Sequence, residues 1–407
     1  MEKKNAKINR RNFLKTVGAA GIGSVFASAR AKAEPSSPEK SQKSRFPQVP
    51  RRKLGKTGVE VPVLALGAMF NIVDNQIILR NTLDWGVNYW DTAHNYARGN
   101  SEIGIGKYLA KNPEVRKNLF IVSKASDAET PEKVEKRLQT SLKRMNTKYI
   151  DLYYGVHAME EPEQLTDELK QWSKDAKKRK LIRFFGFSTH ENMAECLTAA
   201  AKLDWIDAIM TLYNFRLMQD DKMQAAVEAC HKAGVGLIAM KTQAKKIRTN
   251  KDKKLAGHFL ERGFTEGQAK IKAVLEDKRI SSACVQMRSV ARLTENAAAV
   301  LDKTKLTQAD MNVLKEYAQA TCSGYCAGCG HICGSVVPDT PYVSKVMRYL
   351  MYYNSYGEQK EARELFAKIP QKVRDKLLSA DYSQAEARCP QNLPIGKLMA
   401  EAVSKLA

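Results

Sequence analysis

The sequence lacks several features that would assign it to common classes of protein. It has no apolar run near the roughly 18 residues that cross a bilayer, so we expect no transmembrane segment. It has no G-x-G-x-x-G motif at the end of a strand, which argues against an open, doubly wound dinucleotide fold. Acidic residues are outnumbered, 44 against 67 Lys and Arg, for a formal net charge of +23. These cations are scattered and not interleaved with aromatic residues, so the pattern favours a basic solvated surface over a nucleic-acid site.

The composition is that of a folded protein. Hydrophobic residues make up 43% of the 407 positions and charged residues 27%, which excludes a chain too polar to bury a core. The length predicts one large domain with a small one, or two to three domains of average size.

Residues 1–33 have the parts of an export signal. They carry eight Lys or Arg and one acid, and they run from Arg10-Arg11-Asn12-Phe13-Leu14-Lys15 through a weak apolar stretch to Ala31-Lys32-Ala33. A charged start, an apolar middle and a small-residue exit are typical of a secretory signal. The paired arginines resemble a twin-arginine signal, read by the twin-arginine translocase. We therefore expect a periplasmic or envelope-exterior location, with residues 34–48 as a linker; a basic amphipathic helix is the alternative.

From residue 49 to about 305 the chain alternates β-rich runs with helical stretches, as parallel sheets wrapped by helices do. Eight strands in this length predict an α/β fold of the (β/α)₈ TIM-barrel type. A hairpin around Arg52–Val59 is expected to close its bottom. The predicted strands are Val61–Leu66, Asn88–Trp90, Leu119–Ser123, Ile150–Val156, Ile182–Phe187, Ile206–Tyr213, Val235–Met240 and Ser282–Gln286.

Polar side chains follow successive predicted strands of this barrel. Asp91 and Tyr96 come after the second strand, Lys124 after the third and His157 after the fourth. Active sites of such barrels lie at the carboxyl ends of the strands. We therefore expect an acid, a phenol, an amine and an imidazole to converge at one mouth.

Several motifs in this region resemble the aldo-keto reductase family. They are Arg52-Lys53-Leu54-Gly55-Lys56-Thr57-Gly58, Gly86-Val87-Asn88-Tyr89-Trp90-Asp91-Thr92-Ala93, Gly99-Asn100-Ser101-Glu102, Tyr149-Ile150-Asp151-Leu152-Tyr153 and Ile182-Arg183-Phe184-Phe185-Gly186-Phe187-Ser188. The resemblance covers about residues 50–302. It implies a catalytic tetrad of Asp91, Tyr96, Lys124 and His157, and hydride transfer between a nicotinamide and a small carbonyl or alcohol.

Each member of this tetrad has a chemical reason to be there. Hydride reduction of a carbonyl leaves an alkoxide that needs a proton from a positioned acid. The phenol of Tyr96 has an ordinary pKa near 10, and we expect the Lys124 ammonium to stabilise its phenolate. Asp91 would hold Lys124, and His157 would orient the substrate oxygen.

The resemblance also implies an NADP (or NAD) site across the barrel mouth. Ser188 matches the position that bonds the nicotinamide amide, with Asn214 expected nearby. The adenosine-phosphate loop would comprise residues suited to a 2′-phosphate or adenine at a helix N-terminus, namely Arg288, Ser289, Arg292, Glu295 and Asn296. Met210 stands where the family usually has Gln, and Met240 stands where an aromatic normally stacks.

Five of the eight cysteines lie in the last third of the chain. Cys322, Cys326, Cys329 and Cys333 form one run, and Cys389-Pro390 follows 56 residues after it. The pattern resembles bacterial ferredoxin spacing and predicts a small, mainly helical, ferredoxin-like iron–sulfur domain over residues 306–407. The motif allows at most one [4Fe–4S] cluster.

Five thiols compete for four positions on such a cluster. The expected ligands are Cys322, Cys326, Cys329 and Cys389, with Cys333 as the alternative. Two disulfides, favoured outside the cytoplasm, and a four-thiolate zinc site are the competing interpretations. Twin-arginine export carries folded proteins, which favours the cluster.

The sequence thus predicts an exported, aldo-keto reductase-type oxidoreductase with a cluster for electron relay to a redox partner protein. The alternative is an iron–sulfur electron carrier or envelope protein whose barrel no longer binds nucleotide.

Overall fold

A computed structural model describes residues 46–244 and 250–407. The predicted export signal, residues 1–33, and residues 34–45 of the predicted linker lie outside the described residues. Within the described ranges, no helix is both long and apolar enough to span a bilayer.

Eight parallel strands close into a barrel, which confirms the predicted fold of this region. The strands are β3 (Leu64–Gly67), β4 (Tyr89–Asp91), β5 (Phe120–Ser126), β6 (Ile150–Met159), β7 (Ile182–Thr189), β8 (Ala208–Leu212), β9 (Gly236–Met240) and β10 (Ile280–Gln286). They are ordered as in the chain, and β10 pairs with β3 to complete the ring. Most of their side chains are buried apolar residues, as strands covered on both faces require. At Gly186 of β7, a Cβ would lie 1.8 Å from the Ala208 carbonyl oxygen, so only glycine fits.

A two-stranded hairpin covers the amino-terminal end of the barrel. It consists of β1 (Arg51–Lys53) and β2 (Glu60–Pro62), paired antiparallel. The predicted first barrel strand therefore began too early: Val61 pairs with Arg52 in the hairpin, and the barrel strand starts at Leu64. The Arg52 guanidinium donates to the carbonyls of Ile280 and Leu275, which fastens the hairpin beneath β10.

Helices surround the barrel and fill the connections between strands. They are α1 (Ile77–Asp84), α2 (Asn100–Lys111), α3 (Pro131–Arg144), α4 (Asp167–Lys178), α5 (Met193–Ala200), α6 (Asp221–Lys232), α7 (Asn250–Glu261), α8 (Glu266–Glu276) and α9 (Val290–Leu301). Side chains of Thr130, Thr166, Asp220, Thr265 and Ser289 cap the amino ends of α3, α4, α6, α8 and α9.

The rest of the chain is helical. It contains α10 (Gln308–Ala320), α11 (Gly330–Gly334), α12 (Val343–Met351), a π-helical turn (Tyr352–Tyr356), α13 (Gln359–Ala367), α14 (Gln371–Lys376), α15 (Ser383–Arg388) and α16 (Ile395–Leu406). Helix α10 packs against Phe215, Leu255 and Phe259 at the side of the barrel. A separate hydrophobic core begins at Val337 and runs to Leu406. We call the segment from Cys322 to Ala407 the cap.

The cap lies over the carboxyl end of the barrel, where the strand-end side chains are. Three ion pairs join its helices to barrel loops: Arg98 with Glu364, Lys368 with Asp127 at 2.7 Å, and Lys345 with Glu160 at 2.9 Å. The cysteine loop is held more closely. The backbone N–H of Asn192 donates to the Gly328 carbonyl at 2.8 Å. A Cβ on Gly328 would lie 2.3 Å from the backbone carbonyl oxygen of His190.

Candidate active site beneath the cap

Lys124 is the centre of a buried polar cluster at the barrel mouth. Its side chain is 1% exposed, and its Nζ donates to Asp91 Oδ1 at 2.6 Å and to the Thr92 carbonyl at 2.7 Å. The Tyr96 hydroxyl accepts a third, longer hydrogen bond from Nζ at 3.4 Å. Asp91 ends β4 and Lys124 lies inside β5, so the barrel itself sets their separation. The structure therefore brings together three of the four predicted catalytic residues.

Burial dominates the electrostatics of this cluster. Burial, with the nearby Asp91 carboxylate, raises the pKa of the Tyr96 phenol well above 10. The expected lowering of that pKa by Lys124 is not what this structure gives, because the enclosed phenolate would lose more solvation than the ammonium returns. Burial likewise raises the pKa of Asp91, although Lys124 acts to lower it. Tyr96 is thus held as a protonated phenol.

His157 completes the group from the neighbouring strand. Its ring lies edge-on to the Tyr96 ring, with centroids 6.0 Å apart, and its Nδ1 is 2.9 Å from the Ser126 hydroxyl. That hydroxyl also bonds Asn95 at 2.9 Å. Burial, and then the cations Lys124, Arg348 and Lys241, lower the pKa of His157 well below 6.5. The imidazole is therefore neutral at physiological pH.

A cavity of about 1030 Å³ lies between the barrel mouth and the cap. Its size is at the upper end of the roughly 300–1,000 Å³ of small-molecule sites. Asp91, Tyr96 and His157 line its floor, and Tyr352 and Tyr356 of the cap line its roof. These two rings also pack against each other, with centroids 5.9 Å apart.

The predicted nicotinamide residues, Ser188 and Asn214, are not among the residues that line this cavity, although their neighbours His190 and Met210 are. Ser188 is 1% exposed, its hydroxyl has no hydrogen-bond partner within the described residues, and it pairs in register with His157. Met210 is its register partner on the other side. Asn214 is used differently, since its amide donates to the hydroxyl of Tyr325 in the cap at 2.9 Å.

The predicted adenosine-phosphate residues lie at and near the start of α9. Ser289 caps the helix by accepting from the Arg292 amide, while the Arg292 guanidinium pairs with Glu295 at 2.8 Å. Arg292 and Glu295 line the far end of the cavity. Arg288 pairs instead with Glu358 of the cap. Asn296 is buried, and its amide nitrogen has no partner in the described parts of the chain.

Four of the five cap cysteines line one small apolar pocket. Cys326, Cys329, Cys333 and Cys389 share its walls with aliphatic residues that include Ile332, Val343, Met347, Leu393 and Ile395. The structure brings Cys333 into this group. Cys322 does not line the pocket; it lies in a turn near Arg216, on the side of the barrel loop.

The thiols in this pocket are largely enclosed. Burial raises the pKa of Cys329 to about 12 and that of Cys333 to about 11, and it raises the pKa of Cys326 further. All the described cysteines are free thiols. Over residues 46–244 and 250–407, no three His, Cys, Asp or Glu side chains converge closely enough to hold a single metal ion.

Two cations of this site are absent from the sequence predictions. Lys241 follows β9, and its ammonium lies 3.2 Å from the Tyr352 hydroxyl and 4.7 Å above that ring. Arg348 is on α12 of the cap, and both residues line the cavity. One feature of the sequence could have pointed to Arg348. It is the single charged residue within an otherwise apolar and aromatic run, Val346-Met347-Arg348-Tyr349-Leu350-Met351.

Acidification from pH 7.5 to 5 is expected to destabilise the fold through its histidines. Burial, and then the cations Arg144 and Arg137, lower the pKa of His94 to about 4. Between pH 6.5 and 4 the unfolded chain therefore binds a proton that the folded chain does not, so the stability present above pH 6.5 is lost as the pH falls. We expect the urea midpoint to fall less on acidification in His94→Gln than in the wild type. The matched control is His231→Gln, an exposed position on α6; equal losses in all three proteins would contradict the assignment.

Known proteins with similar sequences identify the family of this barrel. Residues 66–313 match the Aldo/keto reductase family. Among curated relatives, the aldo-keto reductase yakc [NADP(+)] of Schizosaccharomyces pombe is 28% identical over 213 residues, covering 47% of this chain and 60% of its own length. The probable aldo-keto reductase 1 of Glycine max is 23% identical, covering 65% of this chain and 84% of its own. The chain thus spans about 60% of the length of the first of these relatives.

Solved structures share the barrel. The thermostable aldo-keto reductase Tm1743, solved with the inhibitor epalrestat, is 26% identical with a TM-score of 0.56, covering 66% of this chain and all of its own. AKR11C1 from Bacillus halodurans, in its holo form, is 20% identical with the same TM-score, covering 66% and 96%. The cap lies largely beyond the region that the family match covers.

Proposed function

Because this chain belongs to the aldo/keto reductase family, we propose that it is an NAD(P)-dependent oxidoreductase that interconverts a small carbonyl compound and its alcohol. The observation that carries the proposal is the buried Lys124 ammonium, bonded to Asp91 and within reach of Tyr96, at the floor of a cavity that His157 also lines.

The side chains divide the acid–base work. Tyr96, as a neutral phenol, donates its proton to the substrate oxygen, and the Lys124 ammonium stabilises the phenolate that remains. Asp91 holds the Lys124 side chain in place through an ion pair of 2.6 Å. In the structure the Ser126 hydroxyl donates its one hydrogen to Asn95 Oδ1. For His157 Nε2 to donate to the substrate oxygen, that hydrogen has to turn from Asn95 to His157 Nδ1, because a neutral imidazole carries one N–H.

The cavity fits a nicotinamide dinucleotide, which supplies the hydride when bound. Ser188 has a buried hydroxyl and Asn296 a buried amide nitrogen with no partner among the described residues, but neither residue lines the cavity, so contact with the dinucleotide would need local rearrangement. Arg292 and Glu295 line the cavity at its other end. We propose NADP, since Arg288 and Arg292 supply cations for a 2′-phosphate and the S. pombe relative carries NADP(+) in its name. Such a phosphate has to compete with Glu358 and Glu295 for these arginines.

Four thiols line the cap pocket, and we propose that they hold one [4Fe–4S] cluster, which would supply one-electron transfer when bound. Four thiols in an apolar enclosure are the donor set that such clusters use. On the structure we propose Cys326, Cys329, Cys333 and Cys389 as ligands. Cys326 also lines a second small cavity, whose walls include His190 and Lys241 of the barrel mouth. This adjacency supports electron relay between the barrel and a redox partner protein.

Export through the twin-arginine pathway to the periplasm or envelope exterior remains part of this proposal. It is supported by Arg10-Arg11 and the Ala31-Lys32-Ala33 exit.

A second candidate function is an iron–sulfur electron carrier whose barrel has lost nucleotide binding. The observation in its favour is that Asn214, expected near the nicotinamide, holds Tyr325 of the cap instead. Met210 and Met240, which line the cavity, also favour this candidate, because the family usually has Gln and an aromatic residue at these positions.

An anaerobic absorbance spectrum titrated with NADPH tests both candidates. We expect a broad visible band, from thiolate-bound iron, that bleaches as NADPH is added. A band that NADPH leaves unchanged, with no NADPH bound by fluorescence, would favour the electron carrier. Absence of the band after anaerobic purification would overturn the cluster and direct attention to zinc or disulfides.

A further inference from the structure

Two basic residues that line the cavity differ from the others in their partners. Within the described residues, neither Lys241 nor Arg348 takes part in an ion pair within 4.0 Å, and the hydrogen-bond partners of both are tyrosines, Tyr352 and Tyr349 respectively. The carboxylate that acts on Arg348 is Glu191, which bonds Ser344 and lines a second small cavity with Lys241 and Arg348. Its Oε2 is buried without a hydrogen-bond partner among the described residues, at no ion-pair distance from either basic residue. Burial, and then the Arg348 guanidinium, lower the pKa of Lys241 well below 10.5, and Cys326 acts to raise it; a bound anion would favour its charged form.

The other cations around the cavity are paired. Lys124 has Asp91, Lys270 has Glu266, Lys345 has Glu160, Lys368 has Asp127, Arg292 has Glu295 and Arg288 has Glu358. This contrast singles out Lys241 and Arg348. Enclosing a charge without a partner is costly, and an anionic ligand would offset that cost.

The unpaired cations lie at the catalytic end of the cavity. Both act on His157 and on His190, lowering the pKa of each imidazole. His190 Nδ1 is buried, with no partner among the described residues, on the same wall. An arginine fork, an ammonium and an imidazole together suit a carboxylate, which accepts several charge-assisted hydrogen bonds.

We propose that Lys241 and Arg348 form an anion subsite beside His157, and that the substrate is a carbonyl or hydroxy compound bearing a carboxylate. The inference rests on the proposed function for the reacting group, but the anion site itself does not need turnover to be observed. Because Arg348 comes from the cap, substrate selection would depend on a part of the chain outside the family match.

Binding of benzoate and benzamide to the full-length, anaerobically purified protein tests the subsite by calorimetry. The two probes share a shape and differ in charge. We expect benzoate to bind about 10- to 100-fold more tightly, as hydrogen bonds to charged groups allow. Arg348→Met should remove that preference and Arg348→Lys should restore part of it. Lys345→Met, one turn away on the same helix and paired with Glu160, is the matched control that should keep it.

Kinetics with 4-formylbenzoate and 4-formylbenzamide connect the subsite to turnover. We expect Arg348→Met to raise KM about 10- to 100-fold for 4-formylbenzoate and less than about 3-fold for 4-formylbenzamide. Equal binding of benzoate and benzamide would overturn the subsite, even if both aldehydes are reduced. A benzoate preference without reduction of either aldehyde would support the subsite and count against the proposed function. If Arg348→Met weakens NADPH binding and leaves the benzoate preference intact, the cations serve the dinucleotide and the proposal is wrong.

Discussion

Replacing Tyr96 with phenylalanine is expected to lower kcat by about 10²- to 10⁴-fold, the usual contribution of a positioned general acid. The variant loses one oxygen atom, and its ring keeps its place over the Lys124 ammonium, 4.7 Å away. No other phenol is within hydrogen-bond reach of Lys124 in the described residues, so nothing replaces the proton. NADPH-dependent reduction of 4-formylbenzoate and 4-formylbenzamide, followed at 340 nm, is the measurement.

The fold and the binding sites of the Tyr96→Phe variant are expected to be intact. NADPH fluorescence and the visible absorbance band should match those of the wild type. Tyr149→Phe is the matched control, because that ring stacks on Arg116 at the barrel surface, 3.8 Å from its guanidinium carbon. Wild-type turnover in Tyr96→Phe would remove this residue from the mechanism. If the variant loses both turnover and the ability to bind NADPH, Tyr96 belongs to the cofactor site instead.

Replacing Cys329 or Cys389 with serine is expected to abolish cluster assembly, whereas Cys322→Ser is expected to retain it. The first two thiols line the apolar pocket, and Cys322 lies outside it near Arg216. A serine hydroxyl is a poor ligand for iron, which prefers thiolate in such clusters. Iron and acid-labile sulfide per chain after anaerobic purification are the measurements, with near-total loss expected for the two pocket variants.

The Cys333→Ser variant decides between the sequence-derived and the structure-derived ligand sets. Loss of iron there, with iron retained in Cys322→Ser, supports the pocket set. The reverse result would restore the set predicted from sequence spacing. Zinc in place of iron and sulfide, or loss of free thiols on titration of the wild type, would overturn the cluster in both versions.

The sequence predicted the barrel and the strand ends because both depend on local patterns. Buried β-rich runs at regular spacing have one common solution when helices separate them, and that expectation is confirmed. The clustering of Asp91, Lys124 and His157 then follows from the strand register, since parallel strands bring their carboxyl ends to the same end of the barrel. The early start at Val61 was wrong for a non-local reason, namely that its partner is Arg52 of the hairpin.

Prediction from sequence stopped at contacts between distant segments. Spacing alone ranked Cys322 above Cys333, but the turn at Cys322–Gly324 directs that residue toward the barrel side while Gly330–Gly334 carries Cys333 into the pocket. Nothing local indicated that Arg348 would line the same cavity as Tyr96 and His157, because these residues are about 190 to 250 positions apart in the chain.

The sequence by itself therefore determined a parallel barrel and four chemically distinct side chains at its mouth, since these depend on hydrophobic periodicity and on strand-end position. Only the tertiary structure decided that the cap covers this mouth, which thiols share a pocket, and which basic residues take part in no ion pair within the described ranges. The physical reason is that pairing and burial are properties of surfaces that meet. The cap and barrel surfaces meet through ion pairs and through backbone contacts such as Asn192 with Gly328. The hydrophobic periodicity of the sequence does not predict such contacts.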